Sequence, residues 1–330
     1  MSDARGGTLP QMPRANSDPW PAIPLAEWED TLATLHLWSQ VIGKVKLRRA
    51  PIANHWWGST LLLTSRGFTT GPIPCGGRTF DAELDFIDQR AVFSASDGSR
   101  RAVELRPRSV ADFYRAACAA LDALGLATPI RTLPSEIEGA IPLDEDETHR
   151  AYDGDAAQRF WRATLSAHRV LGEFRARFVG KCSPVHFFWG GFDLAVTRFS
   201  GRRAPAPTRA LPGYPRWANA EAYSHECSSA GFWPGQGLGH AAFYSYAYPE
   251  PSGFAAARVL PDAAAYSDDF GQFLFPYGAV RTAADPDAAL LAFLQSTYEA
   301  AADCGGWKRE ELERAPEELA RLERNLGRQD

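Results

Sequence analysis

The sequence predicts an α+β fold made of two pseudo-repeated units, each a helix, an antiparallel sheet and a second helix, with a cleft between them. Three observations carry this expectation. Short alternating segments come in runs that helices bracket, not interleave, which favours antiparallel sheets. A long-period internal repeat is visible: VIGKVKLR at 41–48 matches VLGEFRAR at 170–177, and NHWWGSTLLLTSR at 54–66 lines up with VHFFWGGFDLAVTR at 185–198 after one inserted residue. His55 then falls on His186, Leu62 on Leu194 and Arg66 on Arg198. Finally, each unit closes on a helical pattern, at 109–125 and at 285–306.

Taken in order, residues 1–19 read as a disordered lead-in, because Met1–Ser17 has no apolar stretch of the kind a secretory signal needs. The first unit spans 20–135. Trp28, Leu32, Leu35 and His36 recur at helical spacing. Strands are expected near 44–49, 59–65, 79–88, 90–95 and 101–106, from the alternation in FDAELDFID and AVELR and the Asp97-Gly98 turn. Ser109 is placed to cap the closing helix, whose apolar stripe is Val110, Phe113, Ala117 and Leu121, and Gly125 to stop it. Residues 136–154, with Pro142 and the DEDETH run, read as a linker. The second unit spans 155–307. Its first helix carries Phe160, Ala163, Ala167 and Leu171, and strands follow near 175–179, 184–189, 191–198, 241–248 and 272–276. Asp285-Pro286 is a cap and first-turn pair. Residues 308–330 form a charged C-terminal helix interrupted at Pro316.

Composition narrows the function classes. The chain has 330 residues, 45% apolar and 23% charged, which suits a globular protein of two domains or one large one. A net charge of −5 without a basic stripe argues against nucleic acid as a partner. No run approaches the roughly 18 apolar residues of a membrane span. Five widely spaced cysteines without a CxxC pair read as reduced thiols of a cytoplasmic protein.

Four of seven histidines, His55, His186, His225 and His240, lie in segments dense with aromatics and glycine. Imidazole with carboxylate is the usual ligand set for zinc or non-haem iron. His186, His225 and Glu226 are therefore the candidate catalytic groups, or the ligands of one divalent metal (Zn or Fe), with His55 or Asp193 assisting. No HExxH or CxxC signature supports the metal. Adjacent His225 and Glu226 would diverge on a strand and could converge only if SHECSSAG is a loop. The competing reading is that the histidines are buried and bonded to backbone. A nucleophilic Cys227 lacks a supporting motif. GxGxG at Gly235, Gly237 and Gly239 precedes a strand, so it reads as a loop and not a dinucleotide fingerprint.

A period-two stripe puts His240, Tyr244, Tyr246 and Tyr248 on one strand face, which suits a small organic ligand or a half-exposed sheet surface. His55, Trp57, Arg198, Trp233, Tyr244 and Tyr246 are the candidate substrate-binding residues. Arg198 could hold a carboxylate or serve in a structural ion pair. Two functions fit: an enzyme acting on a small organic molecule through a His/Glu site, or a non-catalytic protein binding such a molecule in an aromatic cleft.

The segments PIANHWWGSTLLLTSRGFTTGPI, SPVHFFWGGFDLAVTRFSGRRAP, AYSHECSSAGFWPG and AFYSYAYPEP are long and unusual. On them the chain, from about Trp20 to Trp307, resembles an uncharacterised bacterial family known as a domain of unknown function. The resemblance implies no activity, cofactor or catalytic residue.

Overall fold

The computed structural model describes residues 18–208 and 212–327. The expected lead-in lies almost wholly outside them. The fold is α+β, with two six-stranded antiparallel sheets. A long helix α1 (Glu29–Arg49) leads into a 3-10 turn at Asn54–Ser59. The first sheet follows: β1 (Leu62–Leu63), β2 (Gly67–Thr69), β3 (Ile73–Cys75), β4 (Arg78–Asp85), β5 (Arg90–Ala95) and β6 (Arg100–Glu104), closed by α2 (Val110–Ala123). The Ser109 hydroxyl accepts from the Asp112 N–H, as the capping pattern requires. Gly125 takes the left-handed conformation that ends the helix, with φ +65°.

The second half begins with α3 (Gly154–Ala176), capped by Asp153. Its sheet comprises β7 (His186–Phe188), β8 (Asp193–Arg203), β9 (His225–Trp233), β10 (Ala242–Tyr248), β11 (Ala265–Ser267) and β12 (Gln272–Pro276), in the spatial order 11-12-10-9-8-7. A short α4 (Arg216–Ala222) precedes β9, and α5 (Tyr277–Arg281) and α6 (Pro286–Cys304) follow β12. The charged tail is two helices, α7 (Arg309–Leu312) and α8 (Pro316–Asn325), separated before Pro316.

The sheets meet at their edges. Leu61 and Phe187 exchange both backbone hydrogen bonds at 2.8 Å, which places β1 beside β7. α2 packs on the first sheet, α3 and α6 on the second, and α1 touches α2 and α3. Phe160 of α3 fills the junction: its ring stacks on Phe192 at 5.4 Å and Phe232 at 6.0 Å, while Phe187 stacks on Phe68 at 4.4 Å.

Three expectations need correction. Residues 44–49 end α1 and are not a strand, and 175–179 run from α3 into a loop that carries one isolated bridge at Phe178. Alternating Val and Lys in GKVKLR imitates strand periodicity, but α1 lies between the two halves and buries Lys44 and Lys46 along with Val41, Ile42 and Val45. SHECSSAG is not a loop, since His225–Trp233 is β9.

Candidate functional site

Period two decides what the second sheet shows on each side. Leu194, Val196, Ala230, Phe232, Phe243, Phe273 and Phe275 are buried core residues, and this face lies against α3 and α6. The opposite face forms the floor of a cavity of about 360 Å³. Its residues stand in register: Ala195, Gly231 and Tyr244 in one row, Thr197, Ser229 and Tyr246 in the next, Phe199 and Cys227 in a third. The walls come from elsewhere: His55 and Trp57 from the 3-10 turn, Glu136 from the segment between halves, Tyr214, Asn219 and Tyr223 on and around α4, and Phe270 before β12. Nine of the lining residues are Phe, Tyr or Trp, and none of the described ones is Lys or Arg.

Two carboxyls converge at one end. Asp193 opens β8, and Tyr244 donates a short hydrogen bond to its Oδ2. Tyr244 stands on β10, two strands away, and reaches across β9 because Gly231 lies between. A methyl at Gly231 would sit 2.5 Å from the Tyr244 Cζ and hydroxyl oxygen. Glu136 enters beside Asp193 over a bare Gly190-Gly191 step. A methyl on Gly190 would lie 2.1 Å from Glu136 Oε1. One on Gly191 would lie 2.7 Å from Asp193 Oδ1 and 3.8 Å from Glu136 Oε2. The two glycines thus make the room the carboxyls occupy.

Glu136 is an exposed residue that opens onto the cavity, with its carboxyl lodged among protein atoms at the Gly190-Gly191 step. Burial, then the charge of Asp193, pushes its carboxyl up to about 7. Burial pushes Asp193 up to about 6, against the Tyr244 hydrogen bond. At neutral pH the pair therefore holds fewer than two negative charges.

The loops carrying these groups are fixed from behind by one polar stripe on α1, spaced four residues apart. His36 Nε2 lies 2.9 Å from the Gly190 carbonyl oxygen. Gln40 Nε2 donates to the Ser135 carbonyl and its Oε1 accepts from the Ser135 N–H, at 2.9 and 2.8 Å. Lys44 Nζ donates to the Leu133 carbonyl at 2.9 Å. Backbone strain gathers here as well. Of five non-glycine residues with positive φ among the described residues, His55, Trp56, Glu136 and Phe192 line the cavity or adjoin a residue that does, and Gln89 lies elsewhere. Such conformations cost of order 1–3 kcal/mol each and cluster at working sites.

The far end is built on His55. Its Nδ1 donates to the Ala222 carbonyl at 2.8 Å, which leaves Nε2 to accept from the Lys181 ammonium at 2.6 Å. Burial lowers the His55 pKa, so the ring is neutral. Burial also pushes the Cys227 thiol up to about 12, which leaves it protonated and a poor nucleophile.

Five of the six candidate binding residues, His55, Trp57, Trp233, Tyr244 and Tyr246, line this one cavity. Arg198 does not. It points to the helix side of β8, where its guanidinium lies over Phe174 at 3.4 Å and Tyr298 at 4.3 Å and donates to the Phe174 carbonyl. The candidate catalytic trio is also dispersed. His186 is 1% exposed under Trp57 and Phe188, with Nδ1 3.1 Å from the Thr60 hydroxyl. Burial, then Lys46, lowers its pKa to about 3. His225 stands half-buried on β9 with its Nδ1 3.0 Å from the Ser224 hydroxyl. Glu226, on the opposite face of β9, accepts from Ser200 at 2.9 Å and pairs with Arg202 at 2.6 Å. Among the described residues no group of three or more His, Cys, Asp or Glu is arranged to hold a metal ion. The expected Zn or Fe site on His186, His225 and Glu226 therefore does not fit the geometry, because a strand sends consecutive side chains to opposite faces.

Fold and site together define an α+β protein with an acidic, aromatic-walled cavity on the outer face of one antiparallel sheet. The chain belongs to a family of unknown function, DUF5996, whose model matches residues 20–314. No curated protein and no solved structure matches the chain. No helix among the described residues is long and apolar enough to cross a membrane.

Proposed function

We propose that the protein is an enzyme acting on a small organic molecule in this cavity, with Glu136 exchanging a proton with the substrate and Asp193 and Tyr244 setting the charge of the pair. The observation that carries the reading is the convergence of two carboxyls over Gly191 inside an aromatic cavity whose described lining has no lysine or arginine. A carboxyl held near neutral pH populates both of its protonation states, which suits a general acid or base. Trp57, Trp233, Tyr244 and Tyr246 contribute flat apolar area and hydroxyls for the substrate. The volume lies within the range of small-molecule sites. A cytoplasmic setting accords with five cysteines that are all unpaired.

The test is incubation of a bacterial metabolite extract with the protein and with Glu136→Gln, followed by mass spectrometry. The expected result is at least one component consumed by the wild-type protein and spared by the folded variant. An extract left unchanged by wild-type protein overturns catalysis. If components are then retained on the protein without conversion, the cavity is a binding site, the use its aromatic walls also suit. Consumption that persists in Glu136→Gln overturns the role given to Glu136.

A further inference from the structure

We infer that the molecule taken up by the cavity is an organic cation, a substituted ammonium whose charge sits between Glu136 and Asp193. The inference rests on the proposed site and adds its ligand class. Its first support is charge. The cavity gathers two carboxyls, and among the described residues no lysine or arginine lines it. Among the described residues neither carboxyl has an ion-pair partner: Asp193 is met by the Tyr244 hydroxyl, and the Glu136 carboxyl has no hydrogen-bond donor. Glu136 is exposed and Asp193 half-buried at the cavity surface, so a ligand can reach both, and the charge of Asp193 adds to the cost of ionising Glu136. A ligand cation supplies the missing partner.

Lys181 does not compensate them. Its ammonium is held by His55, which packs against Phe199 with ring centroids 4.5 Å apart. Six residues along β8 separate Phe199 from Asp193, about 20 Å of extended strand.

The second support is the wall around the carboxyls. Phe188 lies opposite Asp193 in the β7–β8 register, and Trp233, Phe270 and Tyr244 complete the lining there. The Trp233 and Phe270 rings meet edge to face at 5.6 Å. Aromatic faces attract alkylated ammonium groups, which carry positive charge on an apolar surface. A bare metal ion would gain little from such walls, and the two carboxyls fall short of a metal-binding group of three.

The cation takes the place of protons that the pair otherwise holds, so binding releases protons and tightens as pH rises. The titratable groups facing Glu136 are Asp193, Tyr214, Tyr223 and Tyr244. Behind its loop stand His36 and Lys44 of α1, and His55 and Cys227 lie toward the far end.

Isothermal titration calorimetry with choline and with benzyltrimethylammonium, beside the uncharged choline isostere 3,3-dimethylbutan-1-ol, tests this on the full chain. Expected is at least about tenfold preference for the ammonium compounds over the isostere. The preference is expected to disappear in Glu136→Gln and in Asp193→Asn. Proton release is expected in paired buffers near neutral pH, with tighter binding at pH 8 than at pH 5.5. Equal binding of the isostere, tighter binding of benzoate, or no binding of either ammonium in the millimolar range overturns the inference. If extract conversion still depends on Glu136, the proposed enzyme stands and only the ligand class falls. Near-ultraviolet circular dichroism of both variants separates loss of charge from loss of fold.

Discussion

The two sheets are alike on their helix-facing sides and differ on their outer sides. On the inner side each is a layer of buried aromatic and aliphatic residues: Phe80, Leu84 and Phe93 in the first, Phe232, Phe243 and Phe275 in the second. On the outer side of the first sheet three carboxylates have close partners, and Asp81, the exception, has only the charge of Arg100 in its neighbourhood among the described residues. Asp85 is bound by Arg66 at 2.6 Å, Asp88 pairs with the same arginine at 2.8 Å, and Glu83 accepts from the Thr64 hydroxyl at 2.6 Å. On the outer side of the second, Glu136 and Asp193 face an aromatic cavity that no lysine or arginine lines among the described residues. The comparison teaches where to look for function on a fold without named relatives. Charge with a partner is accounted for by the scaffold, and two carboxyls that converge on an aromatic cavity without a described partner mark a candidate site.

The likeness of the inner sides gives the largest expected effect. Phe93 and Phe232 are both fully buried. Truncation of either to alanine is expected to cost about 3–5 kcal/mol, from lost burial and the cavity left behind. Urea unfolding of Phe93→Ala and Phe232→Ala measures this. If one costs under about 1 kcal/mol, the inner sides are not equivalent, and the comparison loses its control.

Asp85 on the first sheet and the carboxyl pair on the second should respond to pH with opposite sign. For Asp85, burial raises the pKa, but the Arg66 hydrogen bond and the Asp88 and Ile87 N–H groups outweigh it and hold the carboxyl below its ordinary 3.8. It therefore contributes stability above that value, and the contribution is lost as pH falls through the lower folded pKa. Glu136 and Asp193 behave conversely. Their folded values, about 7 and about 6, exceed the ordinary 4.5 and 3.8, so the folded state binds more protons in between. Their contribution is complete in acid and is lost as pH rises through 6 to 7.

Buried His36 and His186, lowered to about 4 and about 3, push the wild-type curve the other way, so the informative quantity is variant minus wild type. Chemical denaturation across this range should show that Glu136→Gln gains on the wild type as pH rises from 4.5 to 7. Asp85→Asn should instead gain on it only in acid. A flat difference for Glu136→Gln means that its carboxyl is not perturbed and that the contrast between the outer sides is one of geometry alone.

The fold was more legible than the site. The Ser109 and Asp285 caps, the Asp97-Gly98 turn and the alternation of β4, β6 and β10 are local signals, and they correspond to structure. β9 was hidden because its residues are small and polar. Ser228 and Ser229 are buried in it, and Ser229 is satisfied by the Thr197 hydroxyl at 2.9 Å, a contact made only across the sheet. The tyrosine stripe pointed to the cavity because two residues apart on a strand is one face of a sheet. Glu136 gave no such sign, as a single acidic residue in a segment read as a linker. The signal that could have found its place was the Gly190-Gly191 step before Phe192-Asp193. Two adjacent glycines at a strand entry mark a close approach, and here the approaching group is a carboxyl.

Glu226 provides the smallest and sharpest contrast. It resembles Glu136 in chemistry and adjoins a histidine, which made it the more attractive residue in the sequence. It lies on the other face of β9, and its Arg202 partner has a half-exposed side chain. A pair in that setting is worth about 0–1 kcal/mol. Glu226→Gln is therefore expected to shift the unfolding midpoint slightly or not at all, and to leave extract conversion at the wild-type level. Glu136→Gln is expected to abolish that conversion. Parallel urea melts and extract assays on the two variants compare one substitution on two faces of the protein. Loss of conversion in Glu226→Gln, with its fold intact, would move the chemistry to the wrong side of β9 and break the assignment of function to the uncompensated face.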